Sequence, residues 1–328
     1  MQTGIYTCLA LAAFAGNSVL CRLALGGDTI DAGSFSAIRL LSGAAALLLI
    51  LAVRERGRVR PGGSWVSAGW LFLYAVAFSF AYLDLRTGTG ALILFGSVQA
   101  AMILAAFWAG DRPDVRESAG MLLALGGLGY LASPGLAAPS LPGALLMAIA
   151  GGAWGVYSLR GRGVADPLGD TAGNFVRTVP LVAGLGLLAL QNSSASPEGV
   201  LLAIVSGALT SGVGYVLWYA ALRGLSATRA AVVQLSVPVL AAGGGVAFLS
   251  EEISTRLVLA AVLILGGVGL ALRGREKRRQ GDLSPVATLG RVHPVAGVGL
   301  PRASPRPGNG GPPVSARNAA CGRGRVAR

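Results

Sequence analysis

Apolar residues run through this chain in ten long stretches, each broken by a short cluster of Gly, Pro, Ser, Asp or Arg. They occupy about residues 4–25, 33–53, 65–83, 88–109, 117–135, 141–158, 171–190, 198–220, 228–249 and 256–272. Each is close to the roughly 20 residues that a helix needs to cross a bilayer. Most are apolar on every side, as in 201–221. A helix on a soluble core would carry a polar stripe at the 3.6-residue period. The pattern therefore predicts an all-α membrane protein with ten transmembrane helices. The breaks carry turn chemistry: Gly26-Gly27-Asp28, Arg60-Pro61-Gly62-Gly63, Asp111-Arg112-Pro113, Ser133-Pro134-Gly135 and Ser196-Pro197-Glu198.

The pattern also repeats. Features between Thr89 and Tyr130 recur between Thr228 and Leu270, roughly 140 positions on. Ser97-Val98 matches Ser236-Val237, and Gly126-Gly127-Leu128-Gly129 matches Gly266-Gly267-Val268-Gly269. Gly33 and Phe35 match Gly173 and Phe175 at the same offset. Residues 1–138 and 139–272 then form two repeats of five spans each. Five is odd, so the second repeat enters the membrane inverted, and a solute site is expected between the halves near mid-bilayer.

Charge fixes the expected orientation. Only 12% of residues are charged, against 53% hydrophobic, where soluble domains carry about 25% charged residues. With the N-terminus in the cytoplasm, the inside loops hold Arg54, Arg56, Arg58, Arg60, Arg112, Arg116, Arg160, Arg162, Arg223 and Arg229. The outside loops hold Arg22, Arg86 and Arg256. The positive-inside rule thus predicts a multi-pass inner-membrane protein with both termini cytoplasmic. The formal charge of +13 is mostly a tail property. Past Leu272 twelve Lys/Arg face two acids, Glu276 and Asp282, and seven of the sixteen prolines lie there. Residues 273–328 are expected to be a disordered cytoplasmic segment, its first basic residues against anionic headgroups. The basic pI is weak evidence for nucleic-acid binding, and none is expected. Cys8 and Cys21 share the first span about 20 Å apart, too far to bond.

The segments Ala81-Tyr82-Leu83-Asp84-Leu85-Arg86-Thr87-Gly88-Thr89-Gly90-Ala91 and Trp218-Tyr219-Ala220-Ala221-Leu222-Arg223-Gly224-Leu225-Ser226-Ala227-Thr228-Arg229-Ala230 form a pair. They resemble the third-to-fourth and eighth-to-ninth span junctions of the drug/metabolite transporter superfamily, EamA type. The acidic turns Gly110-Asp111-Arg112-Pro113 and Leu249-Ser250-Glu251-Glu252 and the Gly-rich fifth and tenth spans share the resemblance, which covers about residues 4–272. It implies ten helices in two inverted five-helix repeats and movement of a small metabolite across the inner membrane. One departure concerns Pro. The family often has it in both the fourth and ninth spans; here Pro238 has Gln99 as its mate, which predicts a straighter fourth helix.

Candidate site residues follow from depth. Arg39 and Arg177 lie about six residues into the second and seventh spans, from opposite sides. A guanidinium there suits a carboxylate or phosphate on a solute; the alternative is snorkelling to the nearer headgroups. Asn17, Gln99, Trp154, Tyr157 and Gln234 lie near mid-depth. Phe14 with Asn17 pairs with Trp154 and Tyr157 across the repeat offset, on the first helix of each half. Buried amides are either helix glue or ligand contacts, while mid-depth aromatics fall outside the interfacial belt. The substrate-binding set is thus Asn17, Arg39, Gln99, Trp154, Tyr157, Arg177 and Gln234.

Absences narrow the mechanism. No Asp, Glu, His or Lys lies at mid-depth in any span, and the one His, His293, is in the tail. A proton relay or a membrane enzyme needs such groups, so no catalytic cluster, cofactor or metal is expected. The glycine clusters lack the strand and Lys of a nucleotide loop and read as helix-packing surfaces. The expected function is a secondary transporter of a small metabolite, amino-acid-like or otherwise anionic or zwitterionic, working by alternating access. The alternative is a membrane scaffold or sensor acting through its tail. The expected partners are a solute and membrane lipids, with a homodimer left open.

Overall fold

The computed structural model describes residues 2–56, 61–108, 115–133, 138–161, 164–189, 194–225 and 233–289. Ten helices follow one another: α1 Gln2–Gly26, α2 Ala32–Arg54, α3 Trp65–Ala81, α4 Thr87–Trp108, α5 Val115–Ala132, α6 Leu141–Arg160, α7 Pro167–Ala189, α8 Pro197–Leu222, α9 Val237–Leu249 and α10 Thr255–Leu289. Among the described residues there is no strand; one isolated bridge, Ile30 with Ala195, joins two loops. Five helices are long and apolar enough to cross a membrane: α1, α2, α6, α8 and residues Thr87–Ala105 of α4. Shorter apolar helical segments are Trp65–Ala81, Ser118–Leu131, Val237–Leu249 and Thr255–Ala271.

The helix starts are written in the loops. Asp31, Ser64, Ser140 and Ser196 each accept a hydrogen bond from the amide three residues on, capping α2, α3, α6 and α8. Two ends differ from the expected spans. The ninth span, expected from residue 228, shows a turn at Leu235-Ser236 before α9 begins with Pro238 in its first turn. Proline lacks the N–H that a continuous helix would need there. Residues 226–232 lie outside the described residues. At the other end, α10 does not stop at Leu272, because Arg, Glu, Lys and Gln are good helix formers; it continues to Leu289, and 290–328 lie outside the described residues.

The packing crosses between the halves. α3 and α4 pack on α6; α8 and α9 pack on α1. α2 packs on α7 and α8, α7 also on α3, and α4 on α9. Replacing each helix by its counterpart five places along maps this set onto itself, as two inverted five-helix repeats require. The helices through Ser284 form one compact unit rather than two. Each repeat is thus half a core, and neither has its own.

Large apolar side chains face outward, and a set of polar ones lies inside. Leu49, Trp108, Leu122, Val262 and Phe248 are each at least 66% exposed. Asn17, Arg39, Gln99, Asn174, Thr178, Ser206, Thr210 and Ser211 are buried. That inversion places ionisable and hydroxyl groups on the bundle interior. Small residues permit the closest crossings. A Cβ on Gly127 would meet the Ile264 backbone, and one on Gly267 would meet Gly120 and Ala124. The two matched glycine clusters are thus the α5–α10 contact, although Gly126, Gly129, Gly266 and Gly269 face open space.

Loops from one half are strapped to the other at both ends. At the α1–α2 end, the Asp31 amide donates to Ser194 O, and the Ser196 and Ser194 amides donate to Thr29 O and the Asp31 carboxylate. At the α2–α3 end, the amides of Gly62, Gly63 and Ser64 donate to Gly169 O, Asp170 and Asn174. Arg54 adds a two-pronged pair to Asp166 at 2.9 and 2.7 Å. The Arg54 hydrogen bonds hold the Asp166 carboxyl below the usual carboxylate range, against a smaller upward push from burial. Its contribution is therefore present above the unfolded value near pH 4 and is lost as pH falls through the lowered folded one. Both partners are over 40% exposed, so Asp166→Asn is expected to cost at most about 1 kcal/mol. The variant's melting temperature should fall below wild type equally at pH 5 and 7, and the gap should narrow as pH falls below 4; a cost that grew between pH 5 and 7 would refute this.

Candidate functional site

At the centre of the bundle lies a small cavity of about 20 Å³, room for about one water. Its walls come from both halves: Phe14 and Asn17 of α1, Tyr74 and Phe78 of α3, Leu94 and Phe95 of α4, Trp154 of α6, and Thr210, Ser211 and Tyr215 of α8. The aromatic rings form a continuous cage. Phe14 meets Trp154, Tyr215 and Trp218 edge-on at 6.3, 6.1 and 5.6 Å. Trp154 stands 4.9 Å from both Tyr74 and Tyr215. Phe14 and Trp154 are repeat mates, so the offset in the sequence becomes a contact across the halves.

The polar half of the cage is set by a distortion of α8. Residues Ser206–Val213 form a π-helical segment, a wider turn that often marks functional sites. It directs three hydroxyls inward. Ser206 and Thr210 donate to Asn17 Oδ1 at 2.7 and 3.3 Å. Ser211 accepts from Arg39 Nε at 3.3 Å. Asn17 Nδ2 donates to the Tyr74 hydroxyl at 3.5 Å, closing a network through α1, α3 and α8.

Arg39 is the central feature. It is 1% exposed. Its Nη2 donates to the Tyr74 hydroxyl at 3.0 Å, and the guanidinium carbon lies 5.2 and 4.9 Å from the Tyr74 and Phe78 ring centres. Nη1 has no hydrogen-bond partner among the described residues, and no carboxylate among them pairs with the side chain. A cation at this depth costs about 3 kcal/mol on insertion scales, and ring faces return only part of that.

The remaining expected residues separate. Asn17 and Trp154 line the cavity, and Arg39 lies against three of its lining residues, Tyr74, Phe78 and Ser211. Tyr157 instead lines a vestibule of about 220 Å³ at the α2–α3 end, with Ser64, Ser67, Arg160, Asp170 and Asn174; Asn174 donates to its hydroxyl at 3.4 Å. Arg177 lines neither space. It donates to the carbonyls of Gly62 and Gly173, satisfying nearby backbone as a long cation near a helix end does. Gln99 and Gln234 are buried but outside the cavity lining. Tyr74, Phe78, Tyr215, Ser206, Thr210 and Ser211 were missed. One signal existed for three of them: the repeat offset pairs Phe78 with Trp218 and nearly pairs Tyr74 with Tyr215. A second vestibule of about 350 Å³ opens at the α1–α2 end, lined by residues that include Asp84, Arg86, Thr89, Ser140, Glu251 and Leu257.

Ten helices among the described residues, nine of them with long or shorter apolar segments, stand in two interlocked repeats around a buried polar centre, the architecture of a multi-pass membrane transporter. The chain belongs to the EamA-like transporter family of the drug/metabolite transporter superfamily; the family model matches residues 141–273. It is 50% identical over 277 residues to an uncharacterized protein of Pseudomonas aeruginosa, covering 84% of this chain and 96% of that one. It is 26% identical over 285 residues to an uncharacterized transporter of Archaeoglobus fulgidus, covering 82% and 96%. A crystal structure with a TM-score of 0.57 and 22% identity covers 80% of this chain and 98% of its own, and shares the fold.

Proposed function

We propose that this protein is a secondary transporter that moves a small anionic or zwitterionic metabolite, amino-acid-like in size, across the inner membrane by alternating access. The observation that carries this is Arg39, a fully buried guanidinium without a carboxylate partner among the described residues, beside a cavity with walls from both halves. A buried cation left unpaired destabilises the bundle and is retained where a ligand completes it. The central cavity is small and a larger space lies at each end, which supports a carrier between its two open forms. Loop charge supports placing the α2–α3 end and both termini in the cytoplasm.

Alternating access makes one position reachable from both sides in turn. With Cys8→Ser, Cys21→Ser and Cys321→Ser as background, Ser211→Cys is expected to react with a membrane-impermeant thiol reagent in right-side-out and in inside-out vesicles alike. A scaffold acting through its tail would leave this position unlabelled in both, and that outcome would reject transport. Truncation after Leu272 should leave the labelling unchanged.

A further inference from the structure

The charge balance of the central cavity selects among the solutes just proposed, and the selection rests on that transport reading. We infer that the site takes a monocarboxylate with an apolar or aromatic body, seated on Arg39, and discriminates against the corresponding zwitterion.

Arg39 sets one positive charge against the wall of the cage, on Tyr74, Phe78 and Ser211. Its Nε and Nη2 are occupied by Ser211 and Tyr74, which hold the guanidinium plane in place and leave Nη1 as the donor without a protein partner among the described residues. A carboxylate accepts from a guanidinium in a charge-assisted hydrogen bond and cancels the buried charge one for one. Tyr74 and Ser211 are then positioning residues, since each fixes the orientation of the group that meets the solute.

A zwitterion brings an ammonium as well. The cavity wall contains no acidic side chain among the described residues. The strongest neutral acceptor, Asn17 Oδ1, already takes bonds from Ser206 and Thr210. The Tyr74 hydroxyl already accepts from Arg39 and Asn17. An incoming ammonium would find the faces of Phe14, Trp154 and Tyr215 but no counter-charge, and the complex would keep a net charge of +1 in a dry site. A single anion leaves it neutral. The same rings supply what an apolar body needs, flat surfaces that stack or meet edge-on.

The test uses the purified full-length protein in detergent and four compounds that share one skeleton: 3-phenylpropanoate, its amide, phenylalanine and phenethylamine. Binding is read by calorimetry and by the rise in melting temperature. The expected order is 3-phenylpropanoate at least ten-fold tighter than phenylalanine, with the amide weaker than the acid and no shift with the amine. Arg39→Gln is expected to melt at or above the wild-type temperature without ligand, because it removes an uncompensated buried charge, and to lose the carboxylate shift. A purely structural arginine would instead lower the ligand-free melting temperature. Equal binding of phenylalanine, any stabilisation by the amine, or a silent panel each overturns the assignment. If Arg39→Gln does not fold, the arginine is structural and the assignment is likewise overturned. Transport itself stands or falls on the Ser211→Cys labelling, which none of these outcomes affects.

Discussion

Gly207→Val is expected to leave little folded protein in the membrane. Gly207 sits in the π-helical segment of α8, where a Cβ would run into the carbonyl oxygen of Arg39 and the hydroxyl of Ser42 on α2. A flexible side-chain tip can swing away from a new methyl; a carbonyl within a helix cannot without moving the helix. Overpacking typically costs about 1–3 kcal/mol and more where the backbone must shift, against a total stability of about 5–15 kcal/mol. The contact also lies on the residue that carries the central guanidinium, so any protein that does fold should have Arg39 displaced. Gly266→Ala is the matched control. Its Cβ meets nothing within 4 Å, and alanine favours the helix by up to about 1 kcal/mol. Yield and melting temperature after solubilisation separate the two. A Gly207→Val protein melting within about 2 °C of wild type would show that the α2–α8 crossing is looser than described.

The contrast between Gly207 and Gly266 shows what a linear reading could and could not reach. Span positions were legible because lipid demands long apolar runs, and the inverted repeat was legible because five is odd. Both survive in the way the inter-helix contacts exchange between halves. Rotation about each helix axis was not legible. Tyr74 and Phe78 face the cavity, whereas Phe80, two residues on, is exposed. In a span that is apolar all round, nothing in the residue types distinguishes these faces. The stretch 201–221 looks uniformly apolar, yet its Thr210 and Ser211 supply the polar wall and its Ser206 holds Asn17, because a π turn alters the phase at which residues point inward. Depth alone likewise could not separate Arg39 from Arg177. Arg39 is wedged between rings of α3, while Arg177 stands within reach of the Gly62 carbonyl.

Glu251→Gln is expected to open the α1–α2 end. Glu251 follows Ser250, whose left-handed backbone (φ 52°) ends α9. Its two carboxylate oxygens accept from the Thr87 amide at 3.0 and 2.8 Å, and one also accepts from the Thr87 hydroxyl at 3.1 Å. Arg22 pairs with the same carboxylate at 3.6 Å while donating to the carbonyls of Tyr82 and Leu83. One side chain of the second half thus ties down the end of α1 and the start of α4, where the helix dipole favours an anion. Its side chain is 12% exposed, so its interactions are only lightly screened. Hydrogen bonds to a charged group are worth about 1.5–3 kcal/mol, which corresponds to roughly ten- to hundred-fold in the ratio of closed to open forms. Cys21 is a native reporter: it precedes Arg22 and is fully buried. In a Cys8→Ser, Cys321→Ser background, Glu251→Gln should raise the rate of Cys21 labelling from the α1–α2 side at least ten-fold, and Arg22→Gln should raise it less because Thr87 still holds the carboxylate. Labelling of Ser211→Cys from the opposite side should fall in parallel, since opening one end of an alternating carrier closes the other. If Glu251→Gln lowers the melting temperature while both labelling rates stay at wild-type values, the carboxylate serves only as a cap for α4 and the latch does not exist.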